Sequence, residues 1–346
     1  MISPLLSHLL IPFIIAMFLA ITMGGSGTGP AFSVAYGSNV IKRSLIPGLF
    51  GVMVFLGALI AGKNTASTVG GEILPSEFMT FTIVSIILFS VAISLLIANL
   101  AGIPQSTSQS TVFAVVAPAI YFNELNTEKL FTEIIPTWFI LPIIAFAICY
   151  LFGKYLYEPI KNNGFIKSRS EKINLNPVWN TIIVVMSLYV AFSIGANNVA
   201  NASGPIASMT ANELNVDSES NFTLILILST LVIAPSFAIG SSIFGDKIVK
   251  NTGKEIYLFG KSEAVLIAFV SASLLILASV VKGIPTSLVQ LNVAAILGIG
   301  VSKLGAKNIF NKTKVKKFFV MWIIAPVIAF SLSFLLIFLT DKFKIL

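Results

Sequence analysis

Residues 78–100, 222–245 and 318–339 are each uncharged and predominantly apolar. Each is long enough to cross about 30 Å of hydrocarbon as a helix, which takes about 20 residues. Lipid offers no partner for backbone N–H and C=O groups, so such stretches must satisfy them internally, as helices do. Only 10% of the 346 residues are charged, against about a quarter in soluble domains. The chain reads as an all-α polytopic membrane protein. Hydropathy divides it into ten crossings at 5–41, 45–62, 78–100, 104–122, 134–153, 177–211, 221–244, 263–281, 285–302 and 318–340. Segment 5–23 has no basic residue before it and no Ala-x-Ala site after it, so a cleaved leader is not expected.

The first and sixth crossings exceed what one straight helix needs. Both carry small and polar residues in mid-segment, Gly24-Gly-Ser-Gly-Thr-Gly-Pro30 and Gly195-Ala-Asn-Asn-Val-Ala-Asn-Ala-Ser-Gly-Pro205. Asn197, Asn198, Asn201 and Ser203 stand where lipid-facing sequence is apolar, which marks a protein-lined cavity. Glycine and proline there predict an unwound break that turns backbone groups toward a solute. The competing reading makes the asparagines interhelical glue.

Basic residues set the orientation. With the N-terminus outside, most of the 22 lysines and arginines fall in inner loops, at 42–43, 154–172, 247–261 and 303–317. Both termini are then outside, and the acidic loop 211–220 is outside as well. The halves repeat. Gly102-Ile-Pro-Gln-Ser106 matches Gly283-Ile-Pro-Thr-Ser287, and Gln109 and Val112 recur as Gln290 and Val293. Trp138 to Phe146 matches Trp322 to Phe330, and Gly70, Glu72 and Ile73 fall on Gly253, Glu255 and Ile256. An odd number of crossings per half inverts the second. The reading is thus two inverted-topology repeats with discontinuous helices, 1–153 and 177–346, joined by a basic cytoplasmic linker, 154–176. That is the pattern of secondary transporters, with the site near the midplane between the repeats.

Proline followed by hydroxyl residues at Pro104-Gln-Ser-Thr-Ser108 and Pro285-Thr-Ser287 reads as two helix starts. Free N–H groups and the positive end of the dipole make each an anion site, and two such starts can converge on one anion. Plain capping by Ser106 and Ser287 is the alternative. Glu263 is the best-placed carboxylate for carrying a coupling proton; an interface charge paired with Lys261 is the alternative. No P-loop, nucleophile–base set, metal-ligand cluster or cofactor motif is present, so neither an enzyme nor an ATP-driven pump is expected. The lone Cys149 excludes an internal disulfide, the lone His8 gives metal chemistry little support, and loop lysines do not amount to a nucleic-acid surface.

Gly195-Ala-Asn-Asn-Val-Ala-Asn-Ala resembles the signature Gly-Ala-Asn-Asp-Val-Ala-Asn-Ala of the inorganic phosphate transporter family, and the Gly-Ile-Pro-x-Ser elements resemble its Pro-x-Ser-Thr-Thr-His elements. The resemblance covers essentially the whole chain. It implies an anion–cation symporter of the plasma membrane, usually a homodimer. The departures are ordered: Asn198 replaces the signature aspartate, Ser26-Gly27 replaces the first-half Asn-Asp pair, and Gln109 and Gln290 replace the histidines. With Val34-Ala-Tyr-Gly-Ser38, they resemble the family's sulfate permease branch. Sulfate carries no proton near neutral pH, so donors suit it and a carboxylate repels it. The implied substrate is sulfate, with thiosulfate, selenate, molybdate or chromate as related tetrahedral anions. The expected ligands are Ser26, Gly27, Thr28, Ser106, Thr107, Asn197, Asn198, Asn201, Thr286 and Ser287. Glu263, Gln109 and Gln290 are candidates for the coupling ion, a proton in preference to sodium. A phosphate symporter is the nearest rival, and an uncoupled anion channel a more distant one.

Overall fold

The computed structural model describes residues 4–101, 105–157, 177–216, 218–252 and 260–344. Every described regular element is helical. The first half contains α1 (Pro4–Gly37), α2 (Ile46–Ala61), the short α3 (Lys63–Ser67), α4 (Phe81–Ala101), α5 (Thr107–Tyr121) and α6 (Ile135–Leu151). The second contains α7 (Pro177–Asn198), α8 (Ala200–Glu213), α9 (Ser218–Ile233), α10 (Pro235–Thr252), α11 (Lys261–Leu277), α12 (Leu288–Leu304), the short α13 (Ala306–Phe310) and α14 (Thr313–Lys342). Most of the linker, the Gly102-Ile-Pro104 element and the 253–256 repeat match lie outside the described residues.

Among the described residues, eight spans are long and apolar enough to cross a bilayer. The remaining two of the ten expected crossings, α5 and α12, have 15 and 17 residues. At 1.5 Å per residue they fall short of a full span. Both start inside the protein at a buried serine, and that is why they are short. Phe78, ahead of α4, packs on Phe122, just past α5, with centroids 5.5 Å apart, so α4 and α5 form an antiparallel hairpin.

The expected break in the first crossing is absent. Residues 24–30 are helical within the single 34-residue α1. Its hydroxyls are satisfied without unwinding: Ser26 Oγ donates to Met23 O at 2.9 Å and Thr28 Oγ1 to Gly24 O at 2.7 Å. The sixth crossing is interrupted at Val199 alone, which keeps right-handed helical angles (φ −61°, ψ −34°). Similar one-residue interruptions fall at Gly62 between α2 and α3 and at Ala234 between α9 and α10.

Close helix approach explains several of the mid-span glycines. A Cβ on Gly24 would lie 2.2 Å from Phe237 O and one on Gly240 1.9 Å from Ile21 O, so α1 and α10 meet backbone to backbone. A Cβ on Gly57 would lie 2.0 Å from Phe192 O and one on Gly195 2.0 Å from Val54 O, so α2 and α7 meet in the same way. Small residues at crossings are how membrane helices gain van der Waals contact when lipid is as apolar as leucine. Gly195→Ala is expected to force α2 and α7 apart and lower stability by about 1–3 kcal/mol, read as a lowered unfolding midpoint in detergent. Gly37→Ala, with nothing within 4 Å of the added Cβ, is the control and should leave the midpoint within about 0.5 kcal/mol.

The two halves interleave. α1 pairs with α10 and α7 with α2. Ser333 Oγ on α14 donates to Ala114 O on α5 at 2.8 Å, and a Cβ on Gly298 of α12 would strike Phe146 O of α6 at 2.4 Å. The outer faces of α6 and α14 stay apolar and exposed, with Phe139, Ile143 and Ile323 each about two-thirds accessible, as lipid-facing surface should be.

Candidate anion site

The starts of α5 and α12 meet at the centre of the molecule. Ser106 Oγ accepts from Gln109 N and Ser287 Oγ from Gln290 N, each at 3.2 Å, so both serines are N-caps in extended geometry. One turn along, the two glutamines bond each other reciprocally. Gln109 Nε2 donates to Gln290 Oε1 at 3.1 Å, and Gln290 Nε2 to Gln109 Oε1 at 2.8 Å. This buried amide pair ties together two helices whose sequences lie 181 residues apart. Gln109→Leu and Gln290→Leu should each destabilise by about 1–3 kcal/mol by stranding the other amide, and the double variant by clearly less than the sum. Additive losses in a double-mutant cycle would show that the pair carries no coupling.

Asn197 organises the approach to α12. Its Oδ1 accepts from Thr286 N at 3.1 Å and from Ser108 Oγ at 3.1 Å. Its Nδ2 donates to Ser279 Oγ at 2.7 Å and to Ile284 O at 3.1 Å. All four hydrogen-bond positions of this amide are filled, and the residue is 0% exposed. Trp138 Nε1 holds the same segment from α6, donating to Pro285 O at 2.8 Å. Gly283 turns the chain into it at φ +63°, where a Cβ would also meet Asn64 O at 2.7 Å.

Beside these helix starts lies a cavity lined by Ser26, Gly27 and Pro30 of α1, Gln105 and Thr107 at the start of α5, Asn198 at the end of α7, and Ser287, Leu288 and Val289 at the start of α12. It is a small pocket, open on one side. Leu288 and Val289 open α12, so their backbone N–H groups have no partner within the helix. The described lining has hydroxyls, amides and helix starts but no charged side chain, an arrangement that suits an anion held by neutral donors.

Five of the residues singled out from sequence therefore come together: Ser26, Gly27, Thr107, Asn198 and Ser287. The others are not part of the lining. Ser106 caps α5, and Thr28 is bonded within α1. Asn201 Nδ2 donates to Ser108 Oγ at 3.2 Å. Thr286 is held by Asn197, and its hydroxyl donates to Ile284 O at 3.2 Å. Gln109 and Gln290 are spent on each other. Glu263 is at the far end of α11, accepting from Gly260 N at 3.0 Å and ion-paired with Lys303 near the end of α12. Lys261, its expected partner, instead donates to Asn180 Oδ1 at 3.0 Å. Sequence reasoning missed Gln105 and Ser108. Both lie in the polar run after Pro104, but only the fold separates the residue facing the cavity from the one that knits α5 to Asn197 and Asn201.

Two short helices that start at a buried, donor-rich cavity inside a bundle of apolar spans mark the chain as a permease for a small polar solute rather than an enzyme. The sequence comparison makes the class specific. The chain belongs to the phosphate transporter family, whose profile matches residues 23–333. It is 36% identical over 325 residues to the sulfate permease CysP of Bacillus subtilis, covering 93% of this chain and 85% of that one. It is 26% identical over 399 residues to a putative phosphate permease of Thermococcus kodakarensis, covering 94% and 96%. A solved structure of a sodium-dependent phosphate transporter superposes with a TM-score of 0.80 at 20% identity, over 97% of this chain and 99% of that chain. At that identity the likeness establishes the fold.

Proposed function

We propose that this multi-pass membrane protein is a secondary importer of sulfate, driven by proton symport, with the anion bound in the cavity between the starts of α5 and α12. The supporting observation is the absence of any carboxylate from the described cavity lining, where Asn198 stands in place of the family's aspartate. A fully ionised dianion offers only acceptors, and this wall offers hydroxyl, amide and backbone donors. The likeness to a sulfate permease points the same way. The protein works as a homodimer in the plasma membrane, with both termini outside, two inverted repeats around the cavity and the basic linker in the cytoplasm.

Importing a dianion against an inside-negative potential costs about 4.6 kcal/mol per 100 mV, at about 2.3 per charge. Two co-transported cations cancel that term and a third makes entry potential-driven. Glu263 is the proton-carrier candidate, and α12 joins its Lys303 pair to the cavity. The deciding experiment is radiolabelled sulfate uptake into proteoliposomes under an imposed pH gradient, then a sodium gradient, with phosphate as competitor. Proton-driven accumulation indifferent to phosphate supports the reading. Sodium-driven, phosphate-sensitive uptake returns the protein to phosphate transport. Voltage-following flux without accumulation makes it a channel. Glu263→Gln should abolish pH-driven uptake, and full retention removes Glu263 from the proton path.

A further inference from the structure

We infer that Gln105 is a direct ligand of the transported oxyanion, donating to it through Nε2. This rests on the sulfate reading above. Gln105 lines the cavity and is 0% exposed, yet neither its Nε2 nor its Oε1 has a hydrogen-bond partner. Burying an unpaired amide is costly, and such a group persists where a ligand completes it.

The equivalent position in the second half explains why this amide is free. There Thr286 is pinned through its N–H to Asn197 Oδ1 and through its hydroxyl to Ile284 O. The first-half counterpart of Asn197 is Ser26, whose hydroxyl is spent on Met23 O in its own helix. One helix start is thus clamped by an asparagine. The other lacks that clamp and carries a longer amide side chain into the cavity. The nearest comparable group is Asn198, which shares the lining and whose Oδ1 is also unpartnered. The Gln105 Nε2 hydrogens suit a sulfate oxygen, and no charged side chain in the described lining competes with them for the anion.

The test uses the full-length protein with Gln105→Met, which keeps the side-chain length and removes both polar atoms, and Gln105→Glu. If the amide exists for the ligand, Gln105→Met should raise the sulfate KM at least about 10-fold. It should also raise the thermal midpoint of the sulfate-free protein by about 2 °C, because a stranded buried amide has gone. Gln105→Glu should weaken sulfate uptake more than Gln105→Met does, and should weaken phosphate competition less than it weakens sulfate uptake. An unchanged sulfate KM in Gln105→Met, a lowered midpoint, or a failure to fold would make the amide structural and overturn the inference. Wild-type protein that takes up phosphate but no sulfate would instead overturn the substrate reading, and Gln105 as a sulfate ligand falls with it.

Discussion

Replacing Asn197 by alanine is expected to abolish transport and to destabilise the folded protein by about 3 kcal/mol. Four groups bond this side chain, Thr286 N–H, Ser108 Oγ, Ser279 Oγ and Ile284 O; without it Thr286 N–H is stranded, while Ser108 Oγ still reaches Thr286 O, Ser279 Oγ still donates to Leu275 O and Ile284 O still accepts from Thr286 Oγ1. All four lie in the buried interior, where a stranded donor or acceptor costs about 1–3 kcal/mol. Interhelical hydrogen bonds in membranes average only about 0.6 kcal/mol, so the total combines the stranded Thr286 N–H with three smaller losses. The loss also frees residues 284–286 from α7 and so displaces the start of α12, one wall of the cavity. Thermal unfolding in detergent and sulfate uptake should therefore fail together. A variant with native stability and no uptake would make Asn197 a direct ligand, against its filled hydrogen-bonding capacity.

Asn198→Asp should act on the anion and leave the scaffold intact. The side chain lines the cavity, its Oδ1 has no donor, and no basic residue in the described lining can neutralise a carboxylate. A unit charge 4 Å from another costs about 4 kcal/mol at an effective dielectric constant of 20, and a dianion feels more. Since about 1.4 kcal/mol is tenfold, sulfate uptake should fall at least about 100-fold. Phosphate should lose less, because its monohydrogen form can donate to the new carboxylate. The sign with pH follows: lowering the pH protonates the aspartate, removes the repulsion and restores sulfate uptake in the variant. Equal losses for both anions with no recovery in acid would assign Asn198 to the scaffold or to a cation site.

Much of the architecture was legible because lipid leaves the backbone few choices. Uncharged apolar stretches had to be helices, and the paired Gly-Ile-Pro-x-Ser elements had to be helix starts. What glycine does in a helix was not legible. Residues 24–30 carry every local sign of a break, yet α1 runs through them, because Gly24 and Gly25 serve contact with α10 while Ser26 and Thr28 bond back to their own turn. Gly195 likewise admits α2. A glycine that relaxes the backbone and a glycine that admits a neighbouring helix look identical until the neighbour is in place.

Residue order alone implies a polytopic helical membrane protein with two helix starts, and the residue types available to meet an anion. Hydropathy, capping and donor chemistry are local properties, readable one segment at a time. Which of those polar groups remain free is set by how the helices pack. Asn197, Gln109 and Gln290 are consumed by partners from distant parts of the chain, while Gln105 and Asn198 keep unpaired atoms beside the cavity. A hydrogen bond needs both partners, and the second partner of each buried amide is supplied by the packing of the two halves.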